Sequence, residues 1–313
     1  MRTFFLLIKK LFGPKKVLFT FIAVAASLAL VEGAARLLIK TGLYWKYGGD
    51  ASVFREAPLV FDEDEGWKWP EGHDFRGRGE VPREKPAGVY RVITSGDSCC
   101  WGAFVAREAT FSARLETMLR RRYGGGRVEV LNGGVAGHSP QQVYEHVRKT
   151  LLGYHPDLVV NYGAFIHGPG FRVRDFNAGM NRRFARLNSL FFYSKACLLM
   201  NETFRLIKPA DLHYGKIGPD QDTQEFIEMV RASGGQVMLV EYAGVNNSRI
   251  TSDILGLEFT CDAPVVRTCQ AFIGTGLAPR KLFSDDVHPT PLGHAVIAQQ
   301  IFDEIVRQNL IKN

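Results

Sequence analysis

Short apolar blocks alternate with helical stripes along most of the chain. Residues 89–95 (Val-Tyr-Arg-Val-Ile-Thr-Ser) predict a buried strand. Phe111, Leu115, Met118 and Leu119 recur at helical spacing, and Gly124-Gly125-Gly126 ends that helix. Val128 to Leu131 predicts a second strand. Ser139-Pro140-Gln141-Gln142 reads as a capping box with proline at the first helical position, and Val143, Val147 and Leu151 follow at four-residue steps. Leu158 to Tyr162 predicts a third strand. Phe226, Met229 and Val230 mark a helix before Gly234-Gly235, Val237 to Val240 a fourth strand, and Val265-Val266 the start of a fifth. Thr290 and Pro291 cap a last helix with Ile297, Ile301 and Ile305 on one face. Strands alternating with helices imply an α/β fold, a three-layer sandwich around a doubly wound parallel sheet. Residues 167–220 break the rhythm: they predict a helix near 187–207 and no strand, an insertion beside the carboxyl edge of the sheet. Residues 39–86, with Pro58, Pro70, Pro82 and Pro86 around Trp67 and Trp69, read as an irregular lead-in to a domain over 87–313.

One apolar stretch differs from the rest. Nineteen residues separate Lys16 from Arg36, and Glu32 is the one charged residue among them. That length suffices to cross a bilayer as a helix, so 17–38 reads as a transmembrane signal-anchor. Arg2, Lys9, Lys10, Lys15 and Lys16 precede it without an intervening acid. They predict that residues 1–16 are cytoplasmic and that the remainder is exported, periplasmic in a two-membrane cell. A cleaved signal peptide is the alternative, since Ala23, Ala25 and Ala26 offer small residues, but the apolar run continues past them. Glu32 and Arg36 stand four apart and are placed to pair.

This anchor changes the meaning of the charge. The net charge is +7, and the five basic residues before the apolar run supply most of it. The rest of the chain is close to neutral, which argues against a nucleic-acid partner. In an exported domain Cys261 and Cys269 are as compatible with a disulfide as with free thiols. Cys99 and Cys100 read as small packing residues.

Candidate chemistry lies in two segments. Gly96-Asp97-Ser98 closes the first predicted strand, where a parallel sheet exposes reactive groups. Asp285-Asp286-Val287-His288-Pro289 supplies a base and a carboxylate. A serine is a weak nucleophile without a base, and a histidine needs a partner to fix its tautomer. Asp285, three residues before His288, suits that role better than Asp286, and Pro289 keeps His288 off the following helix. His294 reads as a helix-face residue.

With Leu131-Asn132-Gly133-Gly134-Val135-Ala136-Gly137-His138-Ser139, these segments resemble the SGNH (GDSL-type) hydrolase family. Asp74-Phe75-Arg76-Gly77 is similar to its membrane-anchored bacterial members. The resemblance runs from about Phe61 to about Ile305. It implies a flavodoxin-like sheet and a catalytic triad of Ser98, Asp285 and His288. It also implies an oxyanion hole built on the backbone N–H groups of Ser98 and Gly137. No metal or cofactor is implied. One block departs from the family pattern: Tyr162-Gly163-Ala164-Phe165 has Phe165 where an oxyanion-stabilising Asn is expected. Phenylalanine donates no hydrogen bond, and loss of one such donor costs about 3–4 kcal/mol of barrier. His167 is the better substitute donor and Asn161 the poorer.

The leading expectation is an extracytoplasmic serine esterase acting on an acylated envelope glycan or lipid and held in the inner membrane by its N-terminal helix. The alternatives are an acyltransferase acting on a cell-envelope polysaccharide, and a weak or inactive glycan-binding or assembly protein.

Overall fold

A computed structural model describes residues 14–41, 59–62, 66–138, 140–162, 196, 221–246, 248–252 and 261–312. The chain divides into two units, Met1–Gly48 with Arg186–Asp211, and Gly49–Ala185 with Leu212–Asn313. Phe165, His167 and the helix expected at 187–207 (Ala196 excepted) lie outside the described residues.

In the first unit, helix α1 spans Pro14–Lys40. Its segment Leu18–Leu38 has a mean hydropathy of 2.0 and is long and apolar enough to cross a membrane. Leu18, Phe19, Phe21, Ile22 and Leu30 are exposed along it. The Arg36 guanidinium lies 2.7 Å from the Glu32 carboxylate, the expected i,i+4 pair. Glu32 also accepts from the Ala196 amide at 3.0 Å.

The second unit is built on five parallel strands: β3 (Tyr90–Gly96), β4 (Val128–Asn132), β5 (Leu158–Tyr162), β6 (Gln236–Val240) and β9 (Val265–Val266). Their order is β4-β3-β5-β6-β9. The chain leaves β3 for one side and returns across it to β5 on the other. This is the flavodoxin-type doubly wound order, with the switch point at the carboxyl end of β3.

Both faces of the sheet are covered, which is why its strands are buried almost throughout. On one face Ile93, Leu131, Val159, Val237 and Leu239 pack with Val143 and Val147 of α4 (Pro140–Lys149) and with Phe226, Ile227 and Val230 of α5 (Gln221–Ala232). Toward the other face Thr94 meets Ser112 at 2.8 Å on α3 (Phe111–Tyr123). Leu115 and Leu119 of α3 are buried, as are Ile297, Ile301 and Ile305 of α6 (Pro291–Arg307), the stripe expected for that helix. The Thr290 hydroxyl accepts from the Gly293 amide at 3.2 Å, so the expected cap is formed.

The lead-in carries more order than its prolines suggest. β1 (Val60–Asp62) and β2 (Gly66–Lys68) form a short antiparallel pair. Trp69, Phe75 and Arg76, which follow it in the chain, are buried. A second hairpin, β7 (Ala243–Asn246) with β8 (Arg249–Ser252), follows β6. Neither hairpin shows in the apolar periodicity, because each strand has only three or four residues. Cys261 and Cys269 are free thiols.

Candidate active site

Gly96 ends β3 at φ +152°, and a Cβ there would collide with the Tyr162 carbonyl and stand 2.7 Å from Cys100 Cβ. Only glycine lets the chain turn this close to β5. Asp97 then caps the one-turn helix α2 (Ser98–Trp101), its carboxylate accepting from the Cys99 amide at 2.8 Å. Ser98 is therefore the first helical residue, and its N–H belongs to the first-turn amides that have no partner inside the helix. Burial pushes the Asp97 carboxyl above the usual range, although the Cys99 amide, His288 and Tyr242 oppose that shift.

The second segment is a loop pinned at its neck. The Ser284 amide donates to the His288 carbonyl at 2.8 Å, and the Thr290 amide to the Leu282 carbonyl at 2.8 Å. Within it Asp285 Oδ1 accepts from the amides of Val287 at 2.9 Å and His288 at 2.8 Å. Asp285 Oδ2 lies 2.6 Å from His288 Nδ1, and His288 Nε2 lies 2.9 Å from Ser98 Oγ. The carboxylate thus holds the tautomer in which Nδ1 carries the proton and Nε2 presents a lone pair to the serine. Asp285 takes the ring, while the Asp286 carbonyl is engaged by the Val245 amide at 2.6 Å.

The electrostatics agree with this geometry. Burial alone would raise the Asp285 carboxyl, but His288 and the two backbone donors outweigh it and hold it below the usual range. Burial alone would lower His288, but the charge and hydrogen bond of Asp285, with Asp97 beyond, hold it above its ordinary value. The pair is shielded, with 18% of the His288 side chain and 8% of Asp285 exposed. A buried, oriented base on a serine hydroxyl is the apparatus for taking a proton from a nucleophile and returning it to a leaving group.

Gly137 has φ +88°, and the His138 amide donates to the Val135 carbonyl at 3.2 Å. Residues 135–138 therefore form a turn whose third position needs a left-handed residue, which explains this glycine. The Gly133 and Val135 amides donate to the carbonyls of Thr94 and Gly96 at 2.9 and 3.0 Å, so this turn runs beside the end of β3. Asn161 Oδ1 accepts from the Ser95 hydroxyl at 3.3 Å, and the residue is buried within β5.

Several residues outside the two chemistry-bearing segments surround the site. The Arg76 guanidinium donates to the carbonyls of Trp101 (2.5 Å), Gly102 (2.8 Å) and Val105 (2.8 Å). It stacks 4.1 Å from the Trp101 ring centroid. The loop it gathers contains Phe104 at φ +66°, an arrangement that strains a bulky residue by about 1–3 kcal/mol. Phe104 meets the His288 ring edge-on at 5.2 Å. His294 is fully buried in α6 and its Nδ1 accepts from the Phe111 amide at 3.2 Å. For Arg76 the Asp-Phe-Arg-Gly block was a visible signal. For Phe104 there was none.

No family model and no curated protein matches the sequence. Solved structures do. A two-domain esterase active on acetylated mannans is 15% identical, with a TM-score of 0.44 over 72% of this chain and 50% of its own. The chain thus spans about half the length of that protein. A member of the lipolytic protein G-D-S-L family from Veillonella parvula is 15% identical, with a TM-score of 0.40 over 70% of this chain and 100% of its own. An acetylxylan esterase from Geobacillus stearothermophilus is 14% identical, with a TM-score of 0.41 over 69% of this chain and 94% of its own.

Proposed function

We propose that this protein is a membrane-anchored, extracytoplasmic serine esterase that removes an ester-linked acyl group from an envelope glycan or lipid. The observation that carries the reading is the hydrogen-bonded series from Asp285 through His288 to Ser98, at 2.6 and 2.9 Å. Ser98 Oγ attacks the ester carbonyl as His288 Nε2 takes its proton. The tetrahedral oxyanion is met by the N–H groups of Ser98 and Gly137. His288 then returns the proton to the departing alcohol, leaving an acyl-serine. Water, activated by the same imidazole, releases the acid. Asp285 keeps the imidazole oriented and stabilises its positive charge. The apolar α1 and the lysines before it support an inner-membrane anchor with the catalytic unit outside the cytoplasm.

The test is labelling of the full-length protein in detergent by a fluorophosphonate probe, with release of acetate from acetylated xylan and mannan measured in parallel. Wild type is expected to label and Ser98→Ala to lose labelling completely. Equal labelling of both proteins overturns the assignment.

Phe165 favours a second reading, a weakened enzyme or a glycan-binding protein that retains the fold. Phe165→Asn is expected to raise ester hydrolysis by about a hundredfold or more if the oxyanion hole lacks that donor. An unchanged rate means that another group already serves. Transfer to a sugar acceptor, measured by product analysis, separates an acyltransferase from a hydrolase.

A further inference from the structure

We infer that Tyr242 is a positioning residue: its hydroxyl and the Cys99 thiol form a chain of contacts that sets the nucleophile in register with its base. The inference rests on the reading of Ser98 and His288 given above. Tyr242 lies just beyond β6, outside both chemistry-bearing segments. Its hydroxyl lies 2.9 Å from Cys99 Sγ, to which it donates, and 3.4 Å from Asp97 Oδ2. The Cys99 thiol donates in turn to the Val287 carbonyl at 3.4 Å.

Asp97 and Cys99 are the two neighbours of Ser98 in the chain, and Val287 is the neighbour of His288. The path Asp97–Tyr242–Cys99–Val287 therefore bridges the helix carrying the hydroxyl and the loop carrying the imidazole, 190 positions apart. It runs alongside the Ser98–His288 contact without using either catalytic side chain. Cys99 is fully buried, so its thiol has no water to turn to. The Tyr242 ring leans on Tyr162 of β5 at 5.4 Å, which holds the hydroxyl in place. A packing role would need the ring and the sulfur volume. A registering role needs the hydroxyl and the thiol hydrogen. The two are separable because Tyr242→Phe keeps the ring and Cys99→Ser keeps a donor.

A displacement of about 1 Å between reacting groups costs on the order of a hundredfold in rate. With full-length protein in detergent and p-nitrophenyl acetate as substrate, Tyr242→Phe and Cys99→Ala are each expected to lower kcat by about tenfold to a hundredfold, with KM within about twofold. Cys99→Ser is expected to recover most of the loss. The double variant Tyr242→Phe/Cys99→Ala is expected to be no slower than the worse single variant, because both break one path. A kcat for Tyr242→Phe within twofold of wild type overturns the inference, as do losses that multiply in the double variant. If wild type shows no turnover, the esterase reading fails by itself, and the register is read from crystal structures. A Ser98 Oγ to His288 Nε2 distance beyond hydrogen-bond reach in Tyr242→Phe supports the inference. An unchanged distance overturns it.

Discussion

The two ends of the parallel sheet both bury charge, but they use it differently. Where the strands begin, Arg91 is fully buried on β3 beside Glu129, its register partner on β4, at 2.6 Å. Its guanidinium also donates to the carbonyls of Arg83 at 2.7 Å and Tyr154 at 2.6 Å. Asp157 closes the same edge by accepting from the Arg91 amide at 2.7 Å and pairing with Lys85. These contacts close on one another. Where the strands end, the contacts run one way, from the Asp285 carboxylate through the imidazole to the Ser98 hydroxyl, the proposed nucleophile. Buried charge is thus a poor marker of function, and an open-ended, oriented series is a better one.

The largest expected effect breaks the exit edge alone. Asp285→Asn should lower kcat by about 10⁴-fold, because the imidazole loses its tautomer and the charge that supports its protonation. The same variant tests the pH dependence. His288 must be neutral to act as base, and in the wild type its value is held up by Asp285 against the pull of burial. Activity should therefore rise with pH along a limb above the ordinary histidine range, about 6.5. The residual activity of Asp285→Asn should rise at lower pH. A limb that does not move would detach Asp285 from His288.

At the entry edge, Arg91→Ala should lower unfolding stability by about 3–5 kcal/mol, because a partly buried Glu129 and two carbonyls lose their donor. The turnover of the fraction still folded at low temperature should be unchanged. Denaturant unfolding beside active-site titration reads the two separately. A loss of turnover without a loss of stability would make the two ends one functional unit.

The smallest effect concerns the histidines that bury a neutral ring. His294 is pushed down to about 3 by burial, with Arg76, Arg114 and His288 adding repulsion. His146 is pushed down to about 4 by burial despite a backbone contact with Gly133. Each takes up a proton more readily when unfolded, so their contribution is complete above the ordinary histidine value and is lost as pH falls below it. The loss is up to about 1.4 kcal/mol per pH unit for each group. His288, held up rather than down, has the opposite sign: its contribution is complete below the ordinary value and is lost as pH rises through its folded one. Guanidinium unfolding at pH 7 and pH 5 should show a flatter dependence in His294→Gln than in wild type.

Much of the site was legible because it depends on local chemistry. A buried run ending in Gly-Asp-Ser marks a strand exit, a proline after His288 keeps it in a loop, and Thr290-Pro291 starts the helix that anchors that loop. Asp285 was preferable to Asp286 on spacing, and the structure pairs it with the ring. Tyr242 was not legible, because a tyrosine beyond an apolar strand looks the same whether or not it meets a thiol 143 residues away. Phe104 was not legible either, since its left-handed backbone depends on the carbonyls that Arg76 gathers around it.

The sequence by itself determined the alternation of strands and helices, the apolar N-terminal helix and the candidates for serine, acid and base. These follow from periodicity, caps and side-chain chemistry, all of which act over a few residues. The tertiary structure alone decided that Gly96 brings β3 against Tyr162, that Arg91 meets Glu129, and that Ser98 comes within 2.9 Å of His288. Those outcomes depend on sheet order and register, which emerge only when distant segments share one core.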